Sequence, residues 1–398
     1  MGQAGLAVAA LPPASTHHPR QLATERSNCR PATMADSSRS SESPPACYAL
    51  VHFGLESIAA DEITRNLGAT IKKTEPGIVV FRVPTIDARL LQIRTVEDLF
   101  LLAWGTDRLT YRATDLKQIR HWTLKAADWD QLLRLHRGVR PWPKGRPTFH
   151  LVTQMQGTHG YRRIDAAKAL AEGLSSTFTA TWKPVEENAL VEVWLTIRGA
   201  TAVCGLRLSD RTMRHRAYKA EHLPASLRPS IAAAMVRLAG AGPGQVVLDP
   251  MCGAGTILAE QIELSKQRKA GRIETWGGDL EMNALRAAAA NFRKVGPALL
   301  ARWDATALPL AAELVDRVVS NPPFGKQLSS PDQVGPLYRG LVRECDRVLK
   351  PAGKVVLLAS DEKALREAVK PVGWQPLRKV KLEVLGQPAA ISVWQKAS

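Results

Sequence analysis

VVLDPMCGAGTI, Val246 to Ile257, decides the fold. Within and just before it, QVVLD (245–249) reads as a short buried strand that ends in Asp249. A turn carrying Gly253 and Gly255 follows, and helical apolar spacing opens at Thr256. A glycine-rich turn between strand and helix lets a ligand approach the main chain, because glycine has no Cβ. The turn is not the GxGxxG dinucleotide fingerprint, and it lacks the Lys-Ser/Thr pair that grips phosphates. Asp249 sits at the carboxyl end of its strand, where open α/β sheets bind ligands. Taken alone, the stretch could still be a tight turn with only a packing role.

Downstream, strand and helix patterns alternate. ETWGGD (274–279), ALLARWD (298–304), VDRVVSN (315–321) and GKVVLLAS (353–360) read as strands. Helical spacing covers 256–269, 281–294, 334–349 and 361–369. This alternation predicts a mostly parallel sheet with helices on both faces. Two last strands, near 376–385 and 389–395, would form an antiparallel edge hairpin through Gly386-Gln387. Three further strand ends carry chemistry. Asp279 ends the second strand and can accept from ribose hydroxyls, or merely cap the next helix. Asp304 can accept from an adenine amino group, or be an ordinary turn aspartate. SNPPFG, Ser320 to Gly325, makes a stiff extended turn. There Asn321 offers a side-chain carbonyl, Pro322 a backbone carbonyl, and Phe324 a flat face for a base. The plainer reading of this turn is a β-turn with a buried aromatic.

Upstream, YALVHF and IVVFRV (78–83) read as strands, and Leu55–Leu67 as a helix with Gly68 as its C-cap. Asp87–Trp104 also has helical spacing, which gives a small α/β unit over about 47–108. The stretch to about 165 is basic, with Trp122, Trp129, Trp142 and Tyr161 interleaved. FHLVTQM (149–155) is a strand and Asp165–Phe178 a helix. ALVEVWLTI (189–197) and TAVCGLRL (201–208) would pair across Gly199-Ala200. LSDRTMRHRAYKAEHLPASLRP (208–229) reads as a basic linker into a helix at Ser230–Ala239. Its Arg214, Arg216, Lys219 and Arg228 are candidates for phosphate contact, or simply a solvated charged face.

The chain has 398 residues, enough for two or three domains. Its net charge of +17 favours a polyanionic partner, because neutralised phosphates release counterions. Its five cysteines are scattered and form no CxxC or Cys/His cluster. That excludes a disulfide scaffold and a zinc module, and it predicts a reducing, cytoplasmic setting with no metal. No apolar run approaches the ~20 residues of a membrane helix. The opening MGQAGLAVAALPPAS lacks a basic start and is broken by Pro12 and Pro13, so it does not read as a signal peptide. Residues 1–46 are rich in Ser, Pro, Thr and Ala and are expected to be disordered. Met34 opens MADSSRSSESPP and reads as a translation start.

DPMCGAGT, GGD and NPPFG, in this order, resemble the class I S-adenosylmethionine-dependent methyltransferases that modify exocyclic amines of nucleobases. From about 47 to 398 the chain is similar to the THUMP-domain RNA guanine-N2-methyltransferases. HFGLESIAADEI, RTVEDLFLLAW and the basic α/β segment before RHRAYK carry the upstream part. The resemblance implies an α/β protein: a C-terminal Rossmann-like class I methyltransferase domain behind an N-terminal ferredoxin-like and THUMP RNA-binding region. The corresponding boundaries are 1–46 for the extension, 47–108 for the ferredoxin-like part, 109–208 for the THUMP-like domain, 209–229 for the basic linker and 230–398 for the catalytic domain.

By the same resemblance, Asp249, Pro250, Met251, Cys252, Gly253, Gly255 and Thr256 would line S-adenosylmethionine. Asp279 and Leu280 would meet its ribose, and Asp304 and Ala305 its adenine. Asn321, Pro322, Pro323 and Phe324 would hold the target base, with Asn321 also beside the cofactor. Arg214, Arg216, Lys219 and Arg228 would touch a structured RNA, tRNA in the first place. Some members of the family need a small activating protein, and the motifs give no oligomeric state. One departure matters: tRNA members commonly carry Asp where this chain has Asn321. Asn also serves enzymes that methylate ribosomal guanine N2 or adenine N6. N2-methylguanine in rRNA or another structured RNA, and adenine-N6 methylation, therefore stay open. The alternative from a different class is a non-catalytic RNA-binding or assembly factor. Intact DPMCGAGT and NPPFG speak against it, since such a factor needs neither.

Overall fold

In the computed structural model the described residues are 45–125, 127–221, 223, 226–269, 271–324 and 334–398. All of them fall in one unit, Pro44–Ser398. The expected disorder of residues 1–44, the start at Met34, and Gly325 of the proline turn lie outside the described residues, while Ala46, expected in the extension, already opens the first strand.

The N-terminal part is built on β1 (Ala46–Leu50), α1 (Glu56–Leu67), β2 (Thr70–Glu75), β3 (Ile78–Arg82) and β4 (Asp98–Thr106). Gly68 caps α1 in the left-handed region, as its position predicts. The helix expected over Asp87–Trp104 is a correction: it is a single 3-10 turn, Ala88–Gln92, followed by β4. Two physical causes act together. Leu99 and Leu101 point into one apolar core and Phe100 into another, so this is a strand buried on both faces. Such a strand reads as a continuous apolar run, which periodicity cannot tell from a helix. The buried Glu62 carboxylate of α1 also accepts the Arg94 and Thr95 backbone N–H groups, which a helix would have used internally.

After β4 come α2 (Thr114–Lys125), α3 (Trp129–Val139), β5 (Thr148–Gln156), α4 (Arg163–Gly173), β6 (Lys183–Pro184), β7 (Val191–Arg198) and β8 (Thr201–Arg207). The β7–β8 hairpin turns at Gly199-Ala200 as expected. Among the described residues these strands join the first four in one sheet of order β2-β3-β1-β4-β8-β7-β5-β6. The seam is β4 against β8, where Phe100 pairs with Arg207 and Thr106 with Ala202.

The expected linker is also a correction. It contains α5 (Arg211–His215) and buries Met213, Arg216, Tyr218 and Leu227, so it is a packed strap. The catalytic part follows: α6 (Pro229–Ala239), β9 (Val246–Asp249), α7 (Thr256–Gln267), β10 (Glu274–Asp279), α8 (Met282–Val295), β11 (Leu299–Arg302), β12 (Val315–Ser320), α9 (Val334–Val348), β13 (Leu349–Ala359), α10 (Glu362–Val369), β14 (Gln375–Val384) and β15 (Gln387–Gln395). Its sheet order is β11-β10-β9-β12-β13-β15-β14, parallel through β13 and closed by an antiparallel hairpin. Period-2 alternation assigns its two faces. Val247, Val319, Val356 and Leu358 join one core with residues of α6, α7 and α8. Leu248, Val318, Val355 and Leu357 join a second core with residues of α9 and α10. The first core runs on into the N-terminal sheet without a break.

Candidate active site

Chain order reverses at β9, because β10 lies on one side of it and β12 on the other. Ligands of open α/β sheets bind at such a switch point, outside the carboxyl ends of the strands. Asp249, Asp279 and Asn321 stand at or just beyond the ends of β9, β10 and β12, and Asp304 lies two residues past β11.

Hydrogen bonds fix their relation. The Gly253 N–H donates to Asp279 Oδ2 at 2.9 Å, and the Glu281 N–H to Asp279 Oδ1 at 3.0 Å. Met251 N–H donates to Asp249 Oδ1 at 3.2 Å, and Ser320 Oγ–H to the same oxygen at 2.7 Å. The turn between β9 and α7 is thus stitched to both neighbouring strand ends. Gly253 has φ +53° and Gly255 φ +73°, in the region that favours glycine. A Cβ on Gly255 would stand 2.6 Å from the Phe292 ring of α8, so that side is closed. A Cβ on Gly253 would meet nothing within 4 Å, so that side is open. Trp303 Nε1 donates to Pro250 O at 3.0 Å and holds the start of the turn from below.

Three carboxylates on adjacent strand ends make an acidic rim in a basic protein. Burial pushes Asp249 up to about 7, against the Ser320 and Met251 hydrogen bonds that hold it down. Asp304 is exposed and accepts from Thr306 N at 2.8 Å and Thr306 Oγ1 at 2.7 Å, which lowers its carboxyl. Each oxygen of Asp279 keeps a spare lone pair, and Oδ2 of Asp304 stays available. This set fits S-adenosylmethionine. The open face at Gly253 gives it room beside the main chain, and the anionic rim suits its cationic end. Of the other expected lining residues, Pro250, Cys252, Thr256 and Ala305 are buried, Met251 is half-buried, and Leu280 is 56 % exposed beside Asp279. The Cys252 thiol is raised by burial, so it is no nucleophile.

At the proline turn, Asn321 Oδ1 is buried and makes no hydrogen bond among the described residues. An unpaired buried acceptor is costly, typically about 1–3 kcal/mol, unless a ligand donor completes it. Pro322 is buried and Pro323 half-buried. Phe324 corrects the expectation of an open stacking face: its ring is 4 % exposed and belongs to the main apolar core. A small cleft beside Asn321 and Phe324 is lined by His52, Arg228, Ile231 and Leu385. The N-terminal part, the strap and the edge hairpin therefore all reach the candidate base site.

The strap arginines do other work than expected. Arg216, with its side chain 6 % exposed, donates to Glu260 of α7 at 3.0 Å, so its phosphate contact is a correction. Glu260 also accepts from Arg94 at 2.5 Å and Tyr218 at 2.7 Å. Arg214 pairs with the buried Asp98. Lys219 donates to Leu227 O at 3.2 Å. Arg228 is exposed and pairs with Glu97 at 2.8 Å, which leaves it the most accessible of the four.

Sequence reasoning missed Asn291 of α8. Its Oδ1 accepts the Ala220 and Glu221 N–H groups, and its Nδ2 donates to Ala254 O at 3.0 Å, tying strap to cofactor turn. It missed the role of Ser320 as well. A polar residue closing an apolar strand was the available signal.

Residues 216–386 match the RMKL-like methyltransferase-domain family. The chain is 32% identical over 236 residues to the tRNA (guanine(6)-N2)-methyltransferase of Thermus thermophilus, over 58% of this chain and 68% of that protein. It is 30% identical to the tRNA (guanine(6)-N(2))-methyltransferase THUMP3 of Bos taurus, over 58% of this chain but only 48% of the bovine protein. The crystal structure of TrmN from Thermus thermophilus superposes with TM-score 0.72 and 25% identity, over 88% of this chain and 99% of that one.

Proposed function

The chain belongs to the THUMP-containing tRNA guanine-N2 methyltransferase family, and from that membership we propose that it methylates the exocyclic N2 of a guanine in tRNA, at position 6 as in its relatives. The observation that carries the reaction is Asn321 Oδ1, a buried acceptor without a partner among the described residues, beside the carboxylate-rimmed turn.

S-adenosylmethionine, when bound, supplies an electrophilic methyl group. The protein's own task is to present a poor nucleophile. The guanine amino lone pair is delocalised into the ring. Asn321 Oδ1 and the Pro322 carbonyl accept its two N–H bonds and favour a tetrahedral nitrogen with a freer lone pair. Asp249, Asp279 and Asp304, with the Gly253 turn, would hold the donor at the adjacent strand ends. Placement of this kind is worth up to ~7–11 kcal/mol in favourable cases. No strong base is needed, since the proton leaves after transfer.

The target base must leave its stack, at about a few kcal/mol. In this reading residues 47–108 and 109–208 grip folded RNA by phosphate and shape, and Arg228 meets the backbone beside the cleft. The 230–398 part carries the chemistry. Among the described residues no helix is long and apolar enough to cross a membrane. The four cysteines among the described residues are free and buried, which fits a reducing, cytoplasmic setting. A small activating protein is an optional addition that the assay below also reads.

The test is methyl transfer by the purified chain to unmodified tRNA, followed by nucleoside mass spectrometry. N2-methylguanosine is expected, and Asn321→Ala should form it about 100-fold more slowly. N6-methyladenosine would overturn the base assignment. No transfer, with or without added cell extract, would overturn the enzyme reading.

A further inference from the structure

One buried hydrogen bond ties the proline turn to the donor turn. Ser320 closes β12 and is fully buried, and its Oγ–H donates to Asp249 Oδ1 at 2.7 Å. The main chain of β12 is already paired with β9 and β13, so the sheet itself does not need this hydroxyl. A buried hydroxyl without a partner is unfavourable, and two valines precede it in the strand. Its neighbour in sequence is Asn321, whose Oδ1 awaits a donor.

We propose that Ser320 is a positioning residue for the methyl transfer, orienting the Asp249 carboxylate towards the cationic end of the methyl donor while its own backbone fixes Asn321. The inference rests on the function proposed above and deepens it. Asp249 is a poor anion in its surroundings. Burial raises it to about 7, Ser320 and Met251 oppose that, and the Asp279 carboxylate adds to the rise. The other titratable groups facing it are the Cys252 thiol in the turn and the Cys345 thiol on α9. Burial pushes both thiols up, so they stay neutral through the working range. Loss of the Ser320 hydroxyl removes a donor from the ionised form only, and ionisation then needs a higher pH.

Calorimetric titration of the full chain with S-adenosylhomocysteine and S-adenosylmethionine, from about pH 5.5 to 9, tests this. Wild-type affinity for the methionine donor should rise as pH passes about 7. In Ser320→Ala the midpoint should move up by about one pH unit, with affinity roughly tenfold weaker near pH 6 and close to wild type near pH 9. Ser320→Thr keeps a hydroxyl and should restore the wild-type profile. Should the alanine variant fail to fold, Ser320→Cys, a weak donor, should lie between the two. An equal loss at every pH with no rescue by threonine, or no change at all, overturns the role of Ser320. Failure of the wild type to bind either ligand would instead overturn the function it rests on.

Discussion

Asp249 is the residue with the most at stake. Its carboxyl is raised by burial to about 7, so the unliganded protein carries it largely protonated in mild acid. A raised carboxyl contributes stability that is complete below its unfolded value and is lost as pH climbs through the folded one. Unfolding free energy should therefore fall by up to about 4 kcal/mol between roughly pH 4 and 8. Asp249→Asn should flatten that slope in urea titrations and abolish donor binding; an unchanged slope would contradict the burial argument. Asn321 is the complementary case. Asn321→Ala should keep donor affinity within about twofold and lower kcat on tRNA by about 100-fold, as when one polar contact to a transition state is removed. Equal losses in both would show that Asn321 merely supports the donor site. Asp249, Gly253, Asp279 and Asn321 were legible in the sequence because each sits at a fixed place in a strand–turn–helix unit. Ser320 and Asn291 were not, because the Asp249 partner of Ser320 and the Ala220 partner of Asn291 each lie 71 residues away and only the fold brings them together. Phe324 shows the reverse: its type was legible, but its burial was not.

Helices and strands were legible where polar residues or turn residues punctuate the apolar run. β7 and β8, buried along nearly their whole length, still fall where the sequence pattern and the turn at Gly199-Ala200 put them, and so do all the catalytic strands. β4 was misread because both of its faces are covered, and β2 was passed over because an edge strand reading TIKKTE looks like a charged loop. α3 carried a signal that the interleaved arginines obscured: Trp129, Leu132, His136 and Val139 share its buried face behind an Asp128 N-cap. His136 makes that helix sensitive to acid. Burial pushes it down to about 4, and the Trp142 indole N–H donates to its Nδ1 at 3.1 Å, fixing the neutral ring. A depressed histidine contributes stability above its unfolded value and loses it as pH falls towards the folded one. The loss should reach about 3 kcal/mol between pH 6.5 and 4, and a His136→Gln variant should not show it. At α7, Glu260 takes two guanidiniums and a phenol in a site closed to solvent. Glu260→Ala would leave Arg216 buried without a counter-charge and Arg94 with Glu263 alone at 3.4 Å, costing about 3–5 kcal/mol in chemical denaturation. A loss below about 1 kcal/mol would mean that this pin does not hold the strap.

At the scale of the whole molecule, one apolar core runs from the N-terminal sheet into the catalytic sheet, and the strap between them is packed rather than slack. Length suggested two or three domains and charge a basic surface, but neither could show that the parts share a core. A loose linker and a packed strap have similar charge. The net charge of +17 should appear in RNA binding and not in donor binding. With about six phosphate contacts, tRNA affinity should drop roughly 1000-fold between 50 and 200 mM salt, while S-adenosylhomocysteine affinity stays flat. The most direct measurement is a crystal structure of the chain with S-adenosylhomocysteine and a guanine-bearing RNA fragment. The ligand should lie across the Gly253 turn with its ribose at Asp279, and the guanine N2 should stand within hydrogen-bond distance of Asn321 Oδ1. Ligand density away from the ends of β9 and β10, or a guanine remote from Asn321, would contradict the account.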